Sequence, residues 1–325
     1  MSLLQVKNLV VEFPGRRGTL RALDDISFDI APGEVLGVVG ESGAGKSLTG
    51  AAIIGLLEPP GRIASGQVLL EGRRIDNLPA DQMRHVRGRK IGAIFQDPLT
   101  SLNPLYTVGR QLTETIRAHL PVDAAEARRR AIALLEDTGI PAAAERVDHY
   151  PHQFSGGMRQ RVVIALALAA EPKLIVADEP TTALDVSIQA QIIQLLKRIC
   201  RDRGAAVMLI THDMGVIAET CDRVAVMYAG RVAEIGPVHE VINQPAHPYT
   251  AGLMAAIPDI EVDRERLNQI DGAMPRLNAI PRGCAYNPRC PRAFERCTEE
   301  RPELLAAGAT RAACWLHDVH AGVAA

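Results

Sequence analysis

The chain has 325 residues, of which 47% are apolar and only 3% aromatic, and its formal net charge is -2. This length suits a full α/β core and about two domains, and the near-neutral charge argues against a protein that coats nucleic acid. A membrane span needs roughly 18 uninterrupted apolar residues, and the longest candidate run, residues 162–170, is far shorter. We therefore expect a soluble chain, for which any membrane role would require separate membrane subunits.

Strands and helices alternate along most of the sequence. The apolar, β-branched segments predict strands over residues 4–13, 34–39, 91–95, 173–177 and 206–210, short antiparallel strands between 66 and 75, and two more strands near 223–236. Helical periodicity predicts helices over residues 46–57, 125–138, 186–203 and 238–243, within a mostly helical stretch from about 98 to 170. This alternation is typical of an α/β fold with a mostly parallel sheet.

The composition changes after about Pro245. The remaining residues are rich in Pro, Arg and Cys and show little periodicity. We therefore predict one domain over residues 1–245, with a helical subdomain at about 98–170, and a separate small module over 246–325.

A phosphate-binding loop follows the second predicted strand. Residues 40–47 match G-x-x-x-x-G-K-[S/T] between a strand and a helix, which is the context that this motif requires. Its glycines let backbone N–H groups close around phosphate oxygens. Lys46 is suited to the β- and γ-phosphates, and Ser47 to Mg²⁺. The predicted nucleotide contacts are Gly40, Glu41, Ser42, Gly43, Ala44, Gly45, Lys46, Ser47 and Leu48.

Polar side chains end three other strands. Asp178 and Glu179 follow an apolar strand at the sheet edge where open α/β sheets bind ligands. Asp178 suits a water-mediated Mg²⁺ contact, and Glu179 suits orienting or deprotonating an attacking water. Alone, such a pair is also typical of a solvated strand end. Gln96 and His212 end two further strands and would add polar groups around a γ-phosphate.

A Ser-Gly-Gly turn opens a second helix. Ser155, Gly156 and Gly157 lie within the segment Phe154 to Gln160, and a helix N-terminus with small residues is itself an anion site. The chain therefore has two phosphate-binding helix starts but one complete nucleotide pocket. We interpret the Ser-Gly-Gly turn as a half-site that closes over a nucleotide held by another chain.

With these motifs in this order, the chain resembles the ATP-binding subunits of ABC transporters over about residues 3–245. The matching motifs are the Walker A loop at 40–47, the Q-loop at Gln96, the signature at 154–158, Walker B at 174–179, the D-loop at 183–185 and the switch His212. The resemblance implies a P-loop NTPase of ABC type, with a mostly parallel core sheet, an N-terminal antiparallel β subdomain and a helical signature subdomain.

The resemblance also implies the chemistry. ATP would be hydrolysed with catalytic roles for Glu179, His212 and Gln96, and Mg²⁺ would be held by Ser47, Gln96 and Asp178. Asp185 would contribute to the nucleotide site, and Phe13 stands where the family stacks an aromatic ring on adenine, although a core position suits Phe13 as well. Met158 stands where the family signature usually has Gln, and Leu48 stands where many members have Thr. One side-chain contact to nucleotide is therefore lost at each position.

Finer features resemble the oligopeptide, dipeptide and nickel importers of this family. They are Glu41, residues 96–104, residues 154–160 and residues 247–250. This resemblance implies the ATPase of a bacterial di- and oligopeptide importer, bound peripherally at the cytoplasmic face of the inner membrane. Its partners would be a second ABC ATPase subunit (a paralogue or another copy), two membrane permease subunits and, indirectly, an extracytoplasmic solute-binding protein. The alternatives are import of nickel or another small solute, or a soluble ABC-type ATPase of DNA repair or translation.

Four cysteines stand near the C-terminal end. Cys284, Cys290, Cys297 and Cys314 are separated by five, six and sixteen residues, so none forms the C-x₂-C knuckle common in structural zinc sites. A reducing cytosol disfavours disulfides. Four thiolates on a Pro-rich loop suit a [4Fe–4S] cluster, which the resemblance supports. Zinc held by four cysteines, or by three with His317, and free thiols are the alternatives.

Overall fold

The computed structural model describes residues 2–16, 18–182, 185–257 and 269–318. The strands are β1 (Leu4–Gly15), β2 (Gly18–Ile30), β3 (Val35–Val39), β4 (Arg62–Leu70), β5 (Arg73–Arg74), β6 (Ile91–Ile94), β7 (Leu174–Asp178), β8 (Ala206–Ile210), β9 (Arg223–Tyr228), β10 (Arg231–Pro237), β11 (Leu305–Ala307) and β12 (Thr310–Ala312). The helices are α1 (Lys46–Ile53), α2 (Ala80–Val86), α3 (Pro98–Ser101), α4 (Val108–His119), α5 (Ala124–Asp137), α6 (Ala143–Arg146), α7 (Gly156–Leu168), α8 (Val186–Arg203), α9 (Met214–Thr220), α10 (Val238–Asn243), α11 (Pro248–Ala255) and α12 (Glu295–Glu299). Short 3₁₀ segments lie at Pro151–Gln153, Asn287–Arg289 and Trp315–His317.

The chain divides into two compact units that alternate along the sequence. The first comprises Met1–Leu4, Ile30–Val35 and Leu70–Ile210, and the second comprises Gln5–Asp29, Leu36–Leu69 and Thr211–Ala325. The predicted helical stretch at 98–170 lies within the first unit. The predicted boundary near residue 245 remains a prediction.

Three parallel strands form the centre of the first unit. β7 pairs with β6 and with β8, with Leu174 opposite both Ile91 and Ala206. All five residues of β8 and the first four of β7 are buried, as expected for a parallel sheet covered on both faces. Helix α7 packs against β6 so closely that a Cβ at Gly92 would lie 2.4 Å from the Ala167 carbonyl oxygen. This packing fixes the helix that begins at the Ser-Gly-Gly turn.

The second unit contains two groups of strands. β1 lies between β2 and β4 in the first group. In the other group, β3 pairs in parallel with β9, and β9, β10, β12 and β11 follow as antiparallel neighbours. The strands β11 and β12 lie in the tail, where the sequence showed little periodicity, and each has only three residues.

A buried carboxyl group joins this sheet to the start of α11. Glu234 of β10 is fully buried, and its two oxygens accept the backbone N–H groups of Ala246 and His247, each at 2.9 Å. Burial lowers the pKa of His247 to about 4, so the neutral ring accepts the N–H of Tyr249 at Nδ1, at 3.0 Å. These contacts fix the position of Tyr249 relative to β10.

Several predicted boundaries change. Helix α1 ends at Ile53, not near Leu57, because Gly55 adopts φ 65° and the Leu56 N–H donates to the Ala51 carbonyl at 2.8 Å, a glycine-terminated helix end. Helix α8 and strand β8 have their predicted bounds. The sequence analysis did not predict β2, α9, α11 or α12. Among the described residues, no helix combines the length and the hydropathy needed to cross a membrane.

Candidate functional site

The loop between β3 and α1 encloses the ammonium group of Lys46. The Lys46 side chain is buried, and its Nζ donates to the carbonyl groups of Gly40 at 2.7 Å and Glu41 at 3.1 Å. Gly40 has φ 149°, and a Cβ there would lie 2.2 Å from the Met227 carbonyl oxygen, so only glycine fits. A loop of this shape at a helix start is an anion site.

Glu41 is held at three points within the second unit. Its N–H donates to the Tyr249 hydroxyl at 2.9 Å, and its carbonyl accepts the Lys46 ammonium. Its carboxylate receives two hydrogen bonds from Arg289, at 2.8 and 2.9 Å. Glu41 was a predicted loop residue, whereas Tyr249 and Arg289 had no predicted role in the site.

Three tyrosine rings support this arrangement. Tyr228 lies 4.6 Å from Tyr249 and 5.3 Å from Tyr286, measured between ring centroids, both edge to face. Arg289 also donates to the Tyr228 hydroxyl at 3.3 Å, and its hydrogen bonds to Glu41 raise the pKa of its guanidinium. Burial raises the pKa of Tyr249, so its hydroxyl stays protonated. Of the two side chains that contact Glu41, Tyr249 is therefore neutral and Arg289 is positively charged.

The predicted catalytic carboxylate lies just after β7 in the first unit. Glu179 adopts φ 46°, a left-handed conformation that is uncommon outside glycine and recurs at functional sites. Its N–H donates to the Ile210 carbonyl at 2.9 Å. Its Oε2 accepts hydrogen bonds from Gln96 Nε2 at 3.0 Å and from Thr182 Oγ1 at 2.8 Å. The structure thus brings Gln96 and Glu179 together and adds Thr182.

Thr182 was missed by the sequence analysis. Its only sequence signal is a hydroxyl three residues after Glu179, a spacing at which a turn lets the side chain reach back. The Thr182 N–H also donates to the Glu179 carbonyl at 3.2 Å. The hydroxyl and the backbone N–H of Thr182 therefore both hold Glu179 in place.

The Ser-Gly-Gly turn begins α7 in the first unit. Ser155 has extended backbone angles and caps the helix, since its hydroxyl accepts the Met158 N–H at 3.3 Å. Gly157 packs on Ile188, where a Cβ would lie 2.9 Å from Cγ2. Ser155 is exposed, and Gly156 and Gly157 are partly exposed. The N-terminus of this 13-residue helix is therefore open to an anion.

The remaining predicted residues lie near the ends of their elements. The Phe13 ring is half-buried and so close to Gly61 that a Cβ there would lie 2.8 Å from it. Asp178 ends β7, and Asp185 is exposed before α8, while Ala183 and Leu184 of the predicted D-loop lie outside the described residues. His212 is exposed after β8. The roles assigned to these residues stay predictions.

The loop residues also differ in exposure. Ala44 is buried and its carbonyl accepts the Gly230 N–H at 2.9 Å, whereas Ser42, Gly43 and Ser47 are exposed and Gly45 and Leu48 are partly exposed. The phosphate loop and His212 belong to the second unit, and Gln96, Asp178, Glu179 and Ser155 belong to the first.

The four C-terminal cysteines line one small cavity of about 20 Å³. All four are free thiols. Burial, together with the other three cysteines, raises the pKa of Cys284 to about 11, and burial also raises the pKa of Cys290 and of Cys314. In the described part of the chain, however, no three His, Cys, Asp or Glu side chains are arranged to hold a metal ion. The predicted cluster is therefore not supported by a ligand geometry, and His317 Nε2 is bonded to the Ala246 carbonyl at 2.8 Å.

Two family models match this chain, one in its N-terminal part and one nearer its C-terminal end. The family described as "ABC transporter" matches residues 23–182, and the family described as "Oligopeptide/dipeptide transporter, C-terminal region" matches residues 233–297. The chain is 48% identical over 304 residues to the dipeptide transport ATP-binding protein DppD of Escherichia coli, covering 94% of this chain and 93% of that protein. It is 46% identical to DppD of Bacillus subtilis, covering 98% and 96%.

A solved structure supports the same relationship. The ATP-binding cassette MJ0796, in a dimeric post-hydrolysis state bound to ADP and Pi, has a TM-score of 0.65 to this chain at 30% identity. The likeness covers 72% of this chain and 98% of that chain.

The hydrogen bond from Thr182 predicts a measurable effect on nucleotide turnover. Thr182→Val keeps the side-chain shape but removes one donor to the Glu179 carboxylate. We expect kcat for ATP hydrolysis to fall roughly tenfold, because a hydrogen bond to a charged group contributes on the order of 1.5 kcal/mol, with KM for ATP unchanged. Thr115→Val, whose hydroxyl donates to the Gln111 carbonyl within α4, is the matched control. Equal turnover in the two variants would exclude this role for Thr182.

Proposed function

Since the chain belongs to the ATP-binding subunits of ABC transporters for dipeptides and oligopeptides, we propose that it hydrolyses ATP to drive peptide import through membrane subunits. The ATPase assignment and the ABC-type P-loop fold are confirmed by the family matches and by the likeness to a solved ATP-binding cassette. The observation that carries the peptide cargo is the match over residues 233–297 to the C-terminal region of peptide transporters. Nickel or another small solute is the alternative cargo.

The phosphate loop holds the ATP triphosphate in this proposal. The Lys46 ammonium neutralises the β- and γ-phosphates, and the N–H groups of the loop and of α1 bind their oxygens. Ser47, Gln96 and Asp178 offer hydroxyl, amide and carboxylate oxygens, the donor types that Mg²⁺ prefers. When bound, Mg²⁺ neutralises charge on the β- and γ-phosphates.

Glu179 acts on the attacking water. As the water oxygen bonds to the γ-phosphorus and the bond to ADP breaks, the Glu179 carboxylate orients the water and accepts its proton. The hydrogen bonds from Gln96 and Thr182 support this role because they fix the carboxylate without neutralising its charge. His212 contacts the γ-phosphate, and Phe13 stacks on the adenine ring.

The helix start at Ser155 serves a second ATPase subunit. Ser155, Gly156 and Gly157 close over the nucleotide held by that subunit, and Asp185 contributes to the same interface. The exposed N-terminus of α7 supports this assignment. The second subunit is a paralogue or another copy of this chain. Closure of the pair would couple hydrolysis to assembly, because each site is complete only when both subunits are in place.

The other partners follow from the family. The chain binds two permease subunits at the cytoplasmic face of a bacterial inner membrane, and a solute-binding protein on the other side delivers the cargo. We place Gln96 in the loop that links the ATP site to the permease.

We also propose that the cysteine module holds a [4Fe–4S] cluster through Cys284, Cys290, Cys297 and Cys314. This proposal rests on the chemistry of the donor set and not on a ligand geometry: four thiols line one cavity, and thiolates are the ligands of such clusters. When bound, the cluster would supply redox-active iron. The proposed hydrolysis uses only the residues named above and does not depend on it.

The central test of the proposed function replaces the catalytic carboxylate. Glu179→Gln should keep ATP binding but lower hydrolysis by at least about 100-fold, because an amide cannot accept the proton from water. Cells with this variant as their sole copy should lose uptake of a labelled dipeptide. Glu303→Gln, an exposed glutamate, is the control and should behave as wild type.

Two results would count against this function. Near-normal hydrolysis by Glu179→Gln would exclude the role of Glu179. If cells with Glu179→Gln take up dipeptide normally but lose nickel uptake, the cargo is nickel and not peptide.

The cysteine proposal predicts coloured protein. Protein purified without oxygen should be brown and contain about four irons per chain, and a variant with all four cysteines changed to serine should be colourless and contain no iron. Colourless wild-type protein with one zinc per chain would exclude the cluster.

A further inference from the structure

We propose that Arg289 is a positioning residue for the ATP site, which fixes and neutralises Glu41 so that the phosphate loop accepts the ATP triphosphate. The inference rests on the proposed function of the loop and adds a contribution from the C-terminal region, defined here as residues 246–257 and 269–318. The inference follows from the position of the Glu41 side chain.

A carboxylate in a phosphate-binding loop poses an electrostatic problem. Glu41 directly follows Gly40, the first glycine of the loop, and its carbonyl contacts the Lys46 ammonium that serves the phosphates. An unpaired charge at this position would repel the triphosphate, since like charges interact strongly in the partly buried environment of a protein surface. The loop therefore requires a cation that pairs with Glu41 without occupying the phosphate site.

Arg289 has the geometry for this pairing. Both of its terminal nitrogens donate to the Glu41 carboxylate, one to each oxygen. The Arg289 side chain is only 6% exposed and the Glu41 side chain 29% exposed, so solvent screens this pair less than a surface pair. A planar fork of two donors matches a carboxylate, whereas a lysine ammonium offers a single point of charge.

The C-terminal region holds Arg289 in place independently of Glu41. Arg289 ends a short 3₁₀ segment, and its N–H donates to the Tyr286 carbonyl at 2.9 Å. Its Nε donates to the Asp271 carbonyl at 2.9 Å. The Asn287 side chain donates to the Cys284 carbonyl at 2.8 Å. The guanidinium is thus oriented before nucleotide arrives, so pairing with Glu41 costs little conformational entropy.

Two further contacts join the same region to the loop. The Tyr249 hydroxyl accepts the Glu41 N–H, and the Met274 methyl would lie 3.2 Å from a Cβ at Gly43. The loop is therefore contacted at two of its residues by side chains that lie more than 200 positions further along the chain. This supports a role for the C-terminal region in ATP binding.

The test measures ATP binding to the isolated full-length chain by calorimetry, at about 50 mM salt. Arg289→Ala should raise the Kd for ATP roughly tenfold, because it leaves the Glu41 carboxylate unpaired. Arg276→Ala removes the same charge from an exposed position of the same region and should leave the Kd within about twofold of wild type. An unchanged Kd in Arg289→Ala would overturn the proposal.

A second variant separates neutralisation from simple loss of packing. Glu41→Gln combined with Arg289→Ala removes both charges, so its Kd should return to within about threefold of wild type. A double variant that binds as weakly as Arg289→Ala would overturn the electrostatic role. Raising the salt to about 500 mM should also shrink the difference between Arg289→Ala and wild type, since repulsion is screened and packing is not.

Two more readouts make the result decisive. In the assembled transporter, Arg289→Ala should raise KM for ATP while kcat at saturating ATP stays within about twofold of wild type. If Arg289→Ala does not fold, Arg289→Lys keeps a charge but loses the fork and should raise the Kd by about two- to fivefold; an unchanged Kd there would contradict the proposal. Lys46→Ala serves as the reference variant. If Lys46→Ala binds ATP normally, the proposed function of the loop is wrong. If Lys46→Ala loses ATP binding while the Arg289 variants bind ATP normally, only the inference about Arg289 is wrong.

Discussion

The loop between β3 and α1 depends on one residue, Glu41, that is held at three of its groups. The N–H, the carbonyl and the carboxylate of Glu41 contact Tyr249, Lys46 and Arg289 respectively. Each contact satisfies a polar group that would be costly to leave unpaired in a partly buried loop. Together they fix the loop between β3 and α1. The buried Glu234, which orders the turn before Tyr249, extends this constraint into the sheet.

The first unit holds its proposed catalytic carboxylate in a similar way. Glu179 lies at a strand end in a left-handed conformation. This conformation is maintained by the hydrogen bond from its N–H to the Ile210 carbonyl and by hydrogen bonds from the N–H and the hydroxyl of Thr182. Gln96 and Thr182 are neutral donors, so their hydrogen bonds to Glu179 do not cancel its charge. The charge of Glu41 is cancelled by Arg289. One carboxylate is thus suited to accept a proton, and the other to lie near phosphate.

The motifs and the parallel strands could be predicted because they are encoded locally. Walker A, Walker B and the signature are contiguous, and the apolar runs of β7 and β8 identify buried strands wherever they occur. The partners of Glu41 could not be predicted in this way. Tyr249 and Arg289 stand 208 and 248 residues away in the chain, and a contact at that separation leaves no periodicity. Likewise β11 and β12 are too short for alternation to reveal them, and α1 ends at Ile53 beside Gly55, before its predicted end at residue 57.

The Walker A loop is therefore held in part by Tyr249 and Arg289, side chains of the C-terminal region that belong to none of the ATP-binding motifs. Amide hydrogen exchange at residues 40–47, measured without nucleotide, tests this most directly. Tyr249→Phe keeps the ring but removes the hydroxyl that accepts the Glu41 N–H. We expect the Glu41 amide then to exchange roughly tenfold faster, while the amides of β8 exchange as in wild type. Exchange at Glu41 that is equal in wild type and Tyr249→Phe would contradict the claim that these contacts preset the loop.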